Sequence, residues 1–62
     1  MNGKEIRSDA DLQNCIYFQQ SVEVWVGGEL DDVCAIADYS DDIVEVVGGL
    51  YYLRCNIMVR VT

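Results

Sequence analysis

The chain contains no proline and no histidine, and only four of its 62 residues are basic. Without histidine the commonest general base is missing. Without proline there is no Pro-rich linker, and no low-complexity tract divides the chain. Lys4, Arg7, Arg54 and Arg60 stand against eleven Asp and Glu, for a net charge of −7. Four cations cannot supply a large counterion-release term, so nucleic acid is an unfavoured partner, and anionic lipid is repelled for the same reason. No apolar run approaches the ~18 residues of a membrane span, and the polar N-terminus does not read as a signal peptide. A cytoplasmic protein with no membrane partner is expected. The three cysteines, Cys15, Cys34 and Cys55, are widely spaced and form no C-x-x-C. Each lies in an apolar run, so each is expected to be a small buried hydrophobe in a reducing cytosol rather than half of a disulfide.

What the chain does have is 52% hydrophobic residues and two Gly-Gly pairs, each closing a valine-rich run. Val22–Val26 leads into Gly27-Gly28, and Ile43–Val47 into Gly48-Gly49. Both central residues of a type I′ turn need φ > 0, which glycine accepts without steric cost, so each pair predicts a hairpin. The run Leu30–Tyr39 is apolar on both faces at its middle, as a strand that bends to serve two sheets would be. Leu50–Arg54 completes the second hairpin, Cys55-Asn56 is a tight connection, and Ile57–Val61 alternates as the last strand. Ahead of these, Ser8 is placed to cap a helix over 9–18, with Asp11 three residues on and Leu12, Cys15 and Ile16 on one stripe; the rival reading is a strand from Cys15 to Phe18. Residues 1–7 read as a loose arm. The expected fold is mostly β: a small five-stranded SH3/Sm-like barrel over 21–62 with one short N-terminal helix, in a single domain of residues 1–62. Its expected core is Val22, Val24, Val26, Ile36, Val44, Val46, Leu53, Ile57, Val59 and Val61, closed by Leu12 and Ile16. A chain this short buries only about 60% of its unfolded surface, so oligomerisation through the edge strands would help it.

The helix, the bent strand pair, the second hairpin and the closing segment Leu53-Arg54-Cys55-Asn56-Ile57-Met58-Val59-Arg60-Val61 resemble the Sm-like branch of small SH3-type barrels, over residues 9–62. Cys55 stands where that family has glycine, the first turn is about two residues shorter than usual, and the family's base-binding Asn is absent. The resemblance therefore implies the fold and not the RNA site. By fold and charge the chain is more similar to acidic single-domain regulators of this branch, which bind the RNA-binding face of a larger protein.

No catalytic, cofactor or metal motif is present. Glu23 and Glu45 would raise one another's pKa if neighbouring strands brought them together, although solvated positions on outer faces suit them better. Asp38, Asp41 and Asp42 form an oxygen-rich turn without the spacing of an EF-hand. Strand parity puts Trp25 beside Glu23, opposite the valines, where it is either exposed or covered by the helix. Of Tyr51 and Tyr52, one must face outward. Aromatics in an acidic surround suit a partner rich in Arg and Lys. The expected function is a non-enzymatic acidic regulator or adaptor that binds a basic protein surface through Trp25, Glu23, Glu45, Tyr51, Tyr52, Asp31, Asp32, Asp41 and Asp42. The alternative is an Sm-like homo-oligomer, with RNA as its candidate ligand, whose edge strands Leu50–Arg54 and Ile57–Val61 pair between subunits.

Overall fold

The computed structural model describes residues 3–62. Its elements are β1 (Glu5–Ile6), α1 (Asp9–Tyr17), β2 (Ser21–Val26), β3 (Glu29–Tyr39), β4 (Ile43–Val46), β5 (Tyr51–Leu53), a 3-10 turn (Arg54–Asn56) and β6 (Ile57–Val61). The strands form one antiparallel sheet in the order β1-β6-β2-β3-β4-β5.

The mostly-β class with one helix matches the sequence reading; the five-stranded barrel does not. The sheet has six strands and is open. Closure would require β5 to pair with β6, but the outer edge of β6 is already taken. Residues 3–7, read from the sequence as part of a loose arm, supply β1, which pairs with β6 at Glu5↔Arg60 and Ile6↔Val59. Residues 1–2 of that arm lie outside the described residues. The sequence hides β1 because a two-residue strand has no periodicity to detect.

The hairpins are where the glycines place them. Gly27 and Gly28 have φ of 60° and 82°, and Gly48 and Gly49 have 114° and 93°. The second loop is longer than its glycine pair, since β4 ends at Val46 and Val46 N–H donates to Leu50 C=O at 3.0 Å. The long third strand pairs with β2 through its first half and with β4 through its second. Pairing passes from β2 to β4 between Ala35 and Ile36; an irregularity between Ile36 and Asp38 lies just inside the second half, and another leaves Asp31 unpaired between Leu30 and Asp32. Such bulges bend a strand and sharpen its twist.

Ser8 caps α1, its Oγ accepting from Asp11 N–H at 3.1 Å. The other end is a Schellman closure: Gln20 N–H donates to Cys15 C=O at 2.9 Å and Gln19 N–H to Ile16 C=O at 3.2 Å, with Gln19 at φ 52°. Glycine usually fills that left-handed position.

The helix lays Leu12 and Cys15 against Val22, Val24, Ile36, Val44, Val46, Val59 and Ile6, so both halves of the sheet share one core. Ile16, Ile57 and Val61 pack partly buried against it, and two expected core residues do not. Val26 sits at the exposed end of β2, and Leu53 is 52% exposed. Tyr52 packs inward opposite Val44, and the two-residue period of β5 then turns Tyr51 and Leu53 outward. Ile6 therefore joins the arm to the core, and Ile6→Ala should lower the unfolding free energy by ~2–5 kcal/mol. Denaturant unfolding checks this; an unchanged midpoint would mean that β1 carries no stability.

Candidate interaction surface

Charge is sharply segregated along the folded chain. Between Arg7 and Arg54 the sequence contains no cation. Lys4 pairs with Asp11 at 3.5 Å, Arg7 with Glu5 at 3.3 Å and Arg54 with Asp9 at 2.8 Å. Arg60 stands in register with Glu23 on one side and Glu5 on the other. Apart from the three paired carboxylates and Glu23, which stands opposite Arg60, seven of the eleven remain: Glu29, Asp31, Asp32, Asp38, Asp41, Asp42 and Glu45. All seven lie on β3, β4 and the turn between them. Among the described residues none of the seven has an ion-pair partner.

Trp25 lies on the face of β2 opposite Val22 and Val24. The helix packs on the valine side, so it does not cover the indole. Trp25 Nε1 donates to Glu23 Oε1 at 3.1 Å, and its cross-strand neighbours are Met58 on β6 and Leu30 on β3. The ring is half-buried among these neighbours, with Val33 and Leu30 exposed beside it.

The second patch is on the other half of the sheet. Asp38 and Glu45 are direct cross-strand partners, and Glu45 faces Tyr51 on β5. With Tyr39, Ser40 and Ile43 they line a shallow cleft of about 200 Å³. Tyr51 is the outward member of the tyrosine pair, 65% exposed. Like charges placed directly opposite one another are destabilising, and a cation seated between them would relieve that.

The remaining expected residues fall elsewhere. Tyr52 faces inward, and its hydroxyl donates to Asp31 Oδ2 at 2.5 Å. That hydrogen bond, with burial and the charges of Asp31, Asp32 and Cys34, pushes the Tyr52 phenol up to about 12. Asp41 and Asp42 are exposed on the β3–β4 turn, but Ser40 builds the turn, its Oγ accepting from Asp42 N–H at 3.3 Å and Ile43 N–H at 3.2 Å. Glu23 and Glu45 are not on neighbouring strands, because β3 runs between β2 and β4. The nine residues expected to form one surface are thus divided into a Trp25–Glu23 patch, a Tyr51–Glu45 patch, a Tyr52–Asp31 pair with Asp32 beside it in sequence, and the Asp41-Asp42 turn. Asp38 was considered only as part of an oxygen-rich turn, because the register that sets it against Glu45 depends on the bulge before it. Tyr17 and Phe18 were also missed. They stack edge to face at 4.9 Å, 76% and 70% exposed, where the Schellman closure turns the chain away from the core.

Arg54 is occupied structurally. Its Nη1 donates to Asp9 Oδ1 at 2.8 Å and Ser40 C=O at 2.7 Å, its Nη2 reaches Arg7 C=O at 3.4 Å, and the guanidinium lies 5.9 Å from the Tyr39 ring centre. The neighbouring Cys55 thiol faces Asn56 Oδ1 at 3.6 Å and is exposed rather than buried as expected. Cys15 is buried and Cys34 half-buried, and burial pushes both thiols up, with Asp11 adding to the effect at Cys15 and Asp32 at Cys34. Among the described residues no group of three or more His, Cys, Asp and Glu is placed to hold a metal, and no helix is long and apolar enough to cross a membrane.

The chain matches no protein-family model, no curated protein and no solved structure.

Two outcomes test this geometry. Tyr52 has its folded pKa raised from 10.0 to about 12, so its contribution to stability is whole below about pH 10 and is lost as pH rises toward 12. A phenolate absorbance titration should show one tyrosine ionising late, and Asp31→Asn should bring that step down; an unshifted step contradicts the contact. Arg54→Met should cost about 1.5–3 kcal/mol in denaturant unfolding, as loss of charge-assisted hydrogen bonds does. Arg54→Lys should fail to restore it, because an ammonium lacks the planar fork; full rescue by lysine would contradict the bridging role.

Proposed function

We propose that this chain is a small acidic, non-enzymatic interaction module that docks on a basic, arginine-rich surface of a larger protein. The observation that carries the reading is the segregation of charge: seven carboxylates without ion-pair partners lie between Glu29 and Glu45, next to the outward aromatics Trp25 and Tyr51. Opposite charge speeds the encounter, and half-buried aromatics supply the anchor that slows release. Arginine suits both, through stacking on the rings and forked hydrogen bonds to carboxylates. Basic faces of this kind are the electrostatic footprint of nucleic-acid-binding proteins, which makes a regulator of such a protein the specific form of the proposal. The finer fold reading, an Sm-like barrel opened at its seam, rests on the helix, the bent β3, the second hairpin and the one-turn link into β6. Three thiols without disulfides suit a reducing cytosol. In the alternative reading, a ring pairs strands at both edges of each subunit, and β1 stands in the way at β6.

Trp25 is the only tryptophan, so its fluorescence reports on the surface directly. Titration with an arginine-rich peptide should give a saturable change that weakens as salt rises from about 0.05 M to about 0.5 M. In stopped-flow and calorimetric measurements Trp25→Ala should mainly speed dissociation, and Asp41→Asn with Asp42→Asn should mainly slow association. Peptide binding indifferent to Trp25→Ala, or tight binding to an RNA oligonucleotide at physiological salt, would overturn the proposal.

A further inference from the structure

The two edges of the sheet are treated differently. The β6 edge is covered by Gly3–Ile6, a segment carrying Lys4 and Glu5, and Val61 exchanges backbone hydrogen bonds with Gly3 and Lys4 at 2.7 and 2.8 Å. Charged cover of this kind is how native sheets protect an edge. The β5 edge has no such cover: among the described residues no strand pairs with its outer side. It also lies in a stretch, Val46 to Leu53, that contains no charged residue.

The unpaired groups of β5 can be assigned. Leu50 C=O accepts from Val46 N–H at 3.0 Å, and Arg54 N–H donates to Asp42 C=O at 2.8 Å, so the backbone groups of Leu50 and Arg54 point at β4. Alternation along an antiparallel strand points those of Tyr52 the same way and those of Tyr51 and Leu53 outward. The side chains of Tyr51 and Leu53 are also exposed, as is that of Ile43 opposite Leu53.

We propose that a second copy of this chain pairs with the β5 edge, antiparallel about a two-fold axis at Tyr52, to give a closed dimer. In that register Tyr51 of each copy faces Leu53 of the other, the outward N–H and C=O groups satisfy one another, and the exposed Tyr51 and Leu53 side chains cover each other, so the dimer withdraws Tyr51 from the docking surface and leaves Trp25 to the basic partner. A two-fold contact uses one patch twice and needs no second free edge. A head-to-tail ring needs β5 of one copy on β6 of the next, and β1 occupies that position. The uncharged edge is also where a like copy can approach most closely, because the carboxylates of a chain with net charge −7 repel it elsewhere.

This gives a salt response opposite in sign to that of the basic partner. Screening weakens attraction between opposite charges and relieves repulsion between like ones. Sedimentation equilibrium of the full chain should show a monomer–dimer equilibrium whose dissociation constant falls several-fold between about 0.05 M and about 0.5 M salt. Leu53→Pro is the informative variant. Leu53 has φ −74° and ψ 124°, which proline accepts, and its N–H points away from β4, so the substitution removes the edge donor and leaves the β4–β5 bonds intact. The variant should keep its circular dichroism and become monomeric while still binding the arginine-rich peptide; if it loses the fold, Leu53→Lys decides, and it too should be monomeric. A wild-type monomer at millimolar concentration in high salt, a trimer or larger species, or a dimer that survives the deciding substitution would overturn the proposal. Peptide binding is measured on the same samples, so failure of the dimer and failure of the docking surface are seen separately.

Discussion

The hydrogen bonds between Gly3–Ile6 and β6 are the contact on which the rest of the architecture depends. They fill the position that β5 would need to close the sheet, so they keep it open, with the two-residue β1 outermost at one end and β5 at the other. Ile6 enters the core beneath them. Arg54 holds the opening together from the other side. It lies in the one-turn link between the two strands that do not pair, and its guanidinium reaches the segment after β1, the first turn of α1 and the β3–β4 turn. A cleft of about 220 Å³ remains at this seam, lined by Glu5, Arg7, Arg54 and Met58 among others.

The same contacts separate the charges. Closing the N-terminal segment onto β6 and α1 engages Lys4 and Arg7 with Glu5 and Asp11, and bridging the seam engages Arg54 with Asp9. Structural demands near the two ends thereby take up three of the four cations, and Arg60 is held within the sheet between β1 and β2. The seven carboxylates of β3, β4 and the turn between them are left without an ion-pair partner among the described residues. An acidic composition is thereby concentrated on β3, β4 and their turn, and a concentration of like charge orients an approaching partner. The proposed function follows from how the ends are tied down as much as from the number of acids.

Much of this was legible in the residues. The Gly-Gly pairs placed both hairpins, Ser8 and Asp11 placed the helix start, and the alternation of β2 put Trp25 opposite the valines. What stayed hidden has definite causes. Two residues of β1 carry no pattern, and Ile6 joins the core only through a long-range pairing. The extra residues Asp31 and Ala37 change the phase of β3, so the meeting of Asp38 with Glu45 could not be counted from either hairpin. The parity of β5 was misjudged at Leu53 because Leu50–Leu53 carries no charge and no alternation, and such a run does not reveal which residues face inward. Gln19 does the work usually done by glycine at the helix end, which left Tyr17 and Phe18 unrecognised as exposed.

The central claim is that the chain covers β6 with its own short N-terminal strand and leaves β5 uncovered. Amide hydrogen exchange resolved by residue, at low and high protein concentration, tests it most directly. The Val61 amide, bonded to Lys4 C=O, should be protected at every concentration. The Tyr51 and Leu53 amides should exchange rapidly in dilute protein and gain protection as concentration and salt rise. Rapid exchange at Val61, or strong protection of Leu53 in dilute monomer, would contradict the account.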